Sequence, residues 1–260
     1  MSGATVGRIA RAVERLAPLE TCADFDNSGL MLGHPDDPVS GVLLAMEADP
    51  FTVREAMETG CDMILAHHPL FLDPIKTLRA DTPVGETVRL LIEHRIALYC
   101  AHTNFDRCPV GTSRALAQAC GVQRIETRDF LAFGPVQEQS SAQLAQRLRT
   151  ILSSQAVCVF GERPIARVCV CAGSGNGELT GVLESGADAF VCGELKYHQM
   201  TEYLARGVAV VTCGHRESEA IALPGLMRHL QNDEDLVQYQ VRYRIASGAY
   251  GIGPAAARGR

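Results

Sequence analysis

Two neighbouring histidines, His67 and His68, close the apolar run Ile64-Leu65-Ala66, and Pro69 follows at once. Neutral imidazoles are good ligands for Zn, Fe, Ni or Cu. Proline cannot donate to a sheet ladder, so the strand must stop there with both rings at its carboxyl end, the end at which open α/β sheets bind ligands. Adjacent strand residues point to opposite faces, so a single ion takes both rings only if the backbone turns; a two-metal site removes that difficulty. The plain alternative is one hydrogen-bonded core histidine beside one turn histidine.

Other residues widen the set. His215 and Glu219 are four apart at the opening of a helix, which stacks them on one face as a ligand pair, although glutamate near a helix start is also an ordinary capping choice. Asp106 stands in the loop after a strand, where an acidic residue is commonly just solvated. His67, His68, Asp106, His215 and Glu219 together offer three imidazoles and two carboxylates. That is too many for one open zinc site, and it suits two divalent ions about 3.5 Å apart sharing a carboxylate, which generate hydroxide at neutral pH. The lack of cysteine in the set favours Zn, Fe, Mn or Ni over a structural thiolate site.

Around these stand residues with weaker claims. Glu194 and His198, four apart, could relay protons over the metals, against a capping glutamate and a surface histidine. His102 could meet a ligand carboxylate or substrate, or be a structural histidine. Asp26 and Asn27 could line a cleft ahead of Gly29, with turn chemistry as the alternative. Lys76 and Arg216, with Lys196, could meet an anionic substrate or be solvated charges. Gly173 to Gly177 invites a phosphate-loop reading but fits neither dinucleotide nor Walker patterns, and no serine or cysteine nucleophile motif competes.

These residues need a scaffold, and the periodicity supplies one. An amphipathic helix (6–16) and strands at 29–33 and 42–46 lead into helix 52–59, the strand ending at His67, helix 84–95, strand 96–101 and helix 113–120. The order then repeats: helix 142–152, strands 156–160 and 166–171, a helix, strand 187–192, helix 196–205, strand 208–212, helix 218–230, and an edge strand 237–243. The expected architecture is a duplicated α/β fold of two α-β-(βα)3 halves meeting across a cleft. Residues 1–125 form the first half, 126–141 a polar connector, 142–246 the second half and 247–260 a flexible tail.

The net charge of −6, with no Lys/Arg-rich block, argues against nucleic acid as the main partner. No apolar run approaches the roughly 18 residues of a membrane span, and the first helix is no signal sequence. Ten scattered cysteines without a CxxC read as reduced core thiols in a cytoplasmic protein.

In order and spacing, Asp26-Asn27-Ser28-Gly29-Leu30, Ala66-His67-His68-Pro69-Leu70, His102-Thr103-Asn104-Phe105-Asp106, Gly193-Glu194-Leu195-Lys196-Tyr197-His198 and Gly214-His215-Arg216-Glu217-Ser218-Glu219 resemble the Nif-three-like family of dinuclear-metal proteins. Its members are often labelled GTP cyclohydrolase I type two. The resemblance implies intertwined halves with mixed sheets, a cleft with two metals on the same five ligands, and a homo-oligomer, a hexameric ring. Glu194 stands where many members have Asp, and Met46-Glu47 replaces a position that often reads Leu-Asp. The function expected is a dinuclear metal-dependent hydrolase acting on a small anionic molecule, a nucleotide or phosphoester, with ring hydrolysis of GTP a candidate. The alternative from another class is a metal-binding, storage or protein-interaction ring without turnover, since the same ligands serve both.

Overall fold

The computed structural model describes residues 3–248, so nearly all of the expected tail lies outside the described residues. The fold is a mixed α/β one with two mixed sheets, in two compact units: residues through Cys108 together with the segment from Leu223 onward, and Pro109–Ala222 between them in sequence.

The first unit opens with α1 (Val6–Leu16), whose buried face carries Val6, Ile9 and Val13. Then follow β1 (Gly29–Leu32), β2 (Gly41–Ala45), α2 (Pro50–Thr59), β3 (Met63–Ala66), α3 (Pro83–Glu93), β4 (Ala97–Cys100) and a single turn, α4 (Thr103–Asp106). Every residue of β2, β3 and β4 is buried, as expected of strands running parallel with both faces covered. Local chemistry marks the helix starts and stops. Asp49 accepts a hydrogen bond from the Thr52 N–H at 2.7 Å, Pro50 opens α2, and Gly60 ends it at φ 65°.

The second unit holds α5 (Thr112–Cys120), β5 (Glu126–Arg128), β6 (Leu131–Ser140), α6 (Ser141–Leu152), β7 (Cys158–Phe160), β8 (Pro164–Ser174), α7 (Leu179–Glu184), β9 (Ala189–Glu194), α8 (Tyr197–Ala205), β10 (Ala209–Thr212) and α9 (His215–Ala220). Along β8, β9 and β10 alternate residues feed two apolar clusters. Val168, Val170, Val191 and Val211 pack with Leu116 of α5 and Leu144 of α6, whereas Cys169, Phe190 and Val210 pack with Val182 of α7 and Tyr203 of α8. The chain then returns to the first unit as α10 (Leu223–Gln231) and β11 (Arg242–Ile245).

The repeat is visible in the sheets. The first has the order β1-β4-β3-β2-β11 and the second β5-β6-β8-β9-β10-β7; in each, three successive parallel strands (β2, β3, β4 and β8, β9, β10) carry an antiparallel strand beside the last of them, and the first sheet adds β11 parallel to β2.

Several boundaries differ from the sequence reading. The expected connector 126–141 is a β5–β6 hairpin, with β6 antiparallel to β8; buried Leu131, Ala132 and Val136 hold it, and the bulge between Pro135 and Gln139 hides the alternation. The units therefore divide at 108/109 and 222/223, not at the connector, because α5 packs on β6, β8 and α6. The expected helix 218–230 is two helices, α9 and α10, with Pro224 in the first turn of the second. The edge strand begins later, after a 3-10 turn at Val237–Tyr239, and pairs parallel to β2 in the first sheet. Asp106 lies in a helical turn, not a loop.

Candidate metal centre

Register brings the first unit's residues level. Ala45, Ala66 and Cys100 are partners at the ends of β2, β3 and β4. The pairing runs on beyond them, the His67 N–H donating to the Ala45 carbonyl at 2.9 Å and the His68 N–H to that of Met46 at 2.7 Å. His67 is 2% exposed. The ring nitrogens of His67, His68 and His102 lie within 4.8 Å of one another, close to the roughly 4 Å that imidazoles sharing one ion can span.

All three rings have Nδ1 committed to an oxygen. His67 donates to the Ala101 carbonyl at 2.9 Å, His68 to Glu47 Oε1 at 3.3 Å and His102 to Asp26 Oδ1 at 2.8 Å. Neither carbonyl nor carboxylate can donate, so the neutral rings carry their hydrogen on Nδ1 and keep the Nε2 lone pair. Asp106 Oδ1 is 3.6 Å from His67 Nε2, longer than a hydrogen bond and near the spacing of two ligands on one ion.

Asp26 is the hub beneath His102. Its side chain is 0% exposed, and besides His102 it meets the N–H groups of Asn27 and Thr103 and the hydroxyls of Ser28 and Thr103. Burial opposes its charge, but the hydrogen bonds from His102, Thr103 and the Ser28 hydroxyl outweigh it. The carboxyl is held well below the usual range. Asp26 therefore supports His102 and, with its side chain fully enclosed, does not itself line a cleft. Asn27 is likewise spent locally, its amide donating to the Phe71 carbonyl at 2.9 Å, and Lys76 is exposed in the irregular segment after Pro69.

In the second unit α9 starts directly behind β10. His215 Nε2 lies 3.2 Å from Glu219 Oε1 one turn along, and its Nδ1 lies 3.1 Å from Glu194 Oε1 at the end of β9. Glu219 is 6% exposed. Ser218 fixes the turn, accepting from the Gly173 N–H at 2.8 Å and donating to the His215 carbonyl at 2.6 Å. Two glycines make room for this helix. A Cβ on Gly173, at φ 67°, would lie 2.1 Å from Glu219 Oε1, and one on Gly193 would lie 2.4 Å from the Gly173 carbonyl and 2.8 Å from the His215 Cα. The glycine-rich stretch is thus a packing device beneath His215 and Glu219, not a phosphate cradle. Arg216 is half-buried in α9, and His198 is exposed on α8, with no hydrogen bond or ion pair joining it to Glu194.

The thiols take no part in this chemistry. None of the ten cysteines is in a disulfide, and burial pushes Cys169 up to about 11, Cys213 up to about 12 and Cys100 well above the ordinary thiol value. Such groups stay protonated and are poor nucleophiles or ligands.

Residues 4–247 match the profile of Duf34/NIF3, NGG1p interacting factor 3. The chain belongs to the Duf34/NIF3 family. Among Duf34/NIF3 relatives, a Streptococcus pneumoniae protein called GTP cyclohydrolase 1 type 2 homolog is 32% identical over 220 residues, covering 80% of this chain and 83% of that protein. A Streptomyces coelicolor protein of the same name is 31% identical over 231 residues, covering 82% and 81%. The fold matches a Staphylococcus aureus hypothetical protein with a TM-score of 0.88 at 24% identity, covering 94% of this chain and 97% of that one. It also matches a Bacillus cereus protein related to NIF3 at 0.89 and 20% identity, over 95% and 97%.

Within this Duf34/NIF3 chain, sequence reasoning missed the contact between Glu47 and His68, the hub role of Asp26, and the glycines under α9. One signal was available: Glu47 precedes His68 by 21 residues, and Glu194 precedes His215 by the same 21. In both cases the carboxylate sits one strand back, across a strand-helix-strand crossover.

Proposed function

We propose that the chain is a metal-dependent hydrolase that binds two divalent ions, with His67, His68, Asp106, His215 and Glu219 as their ligands. The observation that supports it is the common setting of the three histidines. Each gives Nδ1 to a carbonyl or carboxylate, the usual outer partners of metal-bound imidazole, and keeps Nε2 as a ligand atom. Each unit also sets a carboxylate oxygen beside a histidine Nε2, at 3.6 Å for Asp106 and 3.2 Å for Glu219. Zinc, iron, manganese or nickel bound there would supply hydroxide at neutral pH and polarise the substrate.

The chain's own residues do the rest. Asp26 holds the His102 ring so that its Nε2 lone pair accepts a proton or a hydrogen bond from a substrate group. Lys76 and Arg216 are cations for an anionic substrate. That substrate is a small nucleotide or phosphoester; the name carried by the relatives makes hydrolytic opening of the GTP ring the first candidate. Assembly as a homo-oligomeric ring of six belongs to the same proposal. Among the described residues no helix is long and apolar enough to cross a membrane.

Elemental analysis of the purified protein beside His67→Ala and Glu219→Ala tests this, with product release assayed from GTP and from a generic phosphodiester. The expected result is about two metal equivalents per chain, lost together with turnover in both variants. Stoichiometric metal without turnover would transfer the site to a binding or storage role, and absence of metal would overturn the ligand set.

A further inference from the structure

We infer that Glu47 and Glu194 are positioning residues that hold His68 and His215 in the tautomer with hydrogen on Nδ1, and so set how tightly each imidazole grips its ion. The inference rests on the ligand roles proposed for those two histidines.

The same construction occurs twice. Glu47 follows β2 and meets His68, which follows the neighbouring parallel strand β3; Glu194 ends β9 and meets His215, which follows the neighbouring parallel strand β10. The contacts are 3.3 and 3.1 Å, each to Nδ1. An unheld imidazole divides between two tautomers, and only the one with hydrogen on Nδ1 leaves Nε2 as a donor to metal. His67 needs no such device, because the Ala101 carbonyl holds its Nδ1 from the backbone. At His68 and His215 a glutamate takes that place. Packing does not call for these carboxylates: the Glu194 side chain is 60% exposed and that of Glu47 about a third exposed. Glutamate is also a poor strand-end choice on propensity alone. The arrangement assigns Glu194 to the histidine beside it and not to a relay with exposed His198.

The test uses the full chain with Glu47→Ala, Glu47→Gln, Glu194→Ala and Glu194→Gln, checked for intact folding by circular dichroism. Zinc affinity is measured by chelator competition, and the His68 tautomer by long-range proton–nitrogen correlation in metal-free protein at pH 8. The alanine variants should bind zinc about 10- to 100-fold more weakly, as loss of an outer partner does elsewhere. The glutamine variants, whose amide oxygen still accepts from Nδ1, should recover most of that loss. His68 should leave the pure Nδ1–H form in Glu47→Ala and keep it in Glu47→Gln. Zinc affinity in the alanine variants within about twofold of the parent, or glutamine failing as badly as alanine, would overturn the inference. If the parent chain takes up no zinc, the metal reading falls by itself; the tautomer shift in Glu47→Ala then upholds the positioning role, and its absence ends it.

Discussion

The two sheets end in rims of the same design that present their histidines by opposite means. Two residues beyond the partnered positions Ala45, Ala66 and Cys100 stand Glu47, His68 and His102. Two residues beyond Cys171, Cys192 and Thr212 stand Gly173, Glu194 and Gly214. The first unit hangs its chemistry directly on the strand ends. The second strips its strand ends to glycine so that α9 can lie over them and bring His215 and Glu219 down from a helix. One duplicated scaffold therefore places its histidines on the strand-end rim in one copy and on a helix in the other. The places held by Glu47, His67 and His102 in the first copy are glycines in the second, where an added Cβ would meet α9 or its neighbours, whereas His68 is matched by Glu194.

The sharpest way to break this comparison is to add that Cβ. Gly193→Ala drives a methyl into the Gly173 carbonyl and the His215 backbone, and Gly173→Ala sets one against Glu219 at a positive φ. Each should cost about 3 kcal/mol or more in urea unfolding, Gly193→Ala from overpacking against backbone and Gly173→Ala from overpacking plus left-handed strain. Glu47→Ala, at the matching place in the first rim, should stay within about 0.5 kcal/mol. Equal costs at the two rims would mean that α9 is not seated as described.

Next in size is Asp26, the buried carboxylate that holds His102. Asp26→Ala leaves several donors without their acceptor and should cost about 2–3 kcal/mol at neutral pH. Its folded pKa lies below the unfolded value of about 4, so Asp26 stabilises the fold above that value, and the contribution is lost as pH falls beneath it. Urea melts from pH 6 to pH 2 should show a shallower acid limb in Asp26→Asn than in the parent; parallel limbs would remove Asp26 from the account. The smallest effect is at Ser218. Ser218→Ala removes one acceptor and one donor under α9 and should cost about 1–1.5 kcal/mol in the same urea unfolding.

The contrast also explains what could be read from the chain alone. His67-His68 before Pro69, and His215 with Glu219 one turn apart, are local patterns, and spacing finds them. The repeat was legible because short buried parallel strands read as apolar runs. Glu47, Asp26 and the glycines act across strands or through the space they leave empty, so local periodicity carries no trace of them. The hairpin at 126–141 was lost because Gly134 and Pro135 interrupt its alternation just before the bulge. The division into units was lost because an apparent end of one repeat need not be where packing ends: α5 closes the first repeat in sequence and packs with the second in space.

The place of β11 bears on how this chain is made. Pro109–Ala222 is one continuous stretch and can finish its sheet as soon as it has been synthesised, whereas the first sheet waits for Arg242–Ile245 to cover β2. Until then β2 presents an unpaired edge of buried-type residues, open to pairing with another chain. The half that leaves the ribosome first is the last to be complete, and His67 and His68 emerge well before their sheet can close.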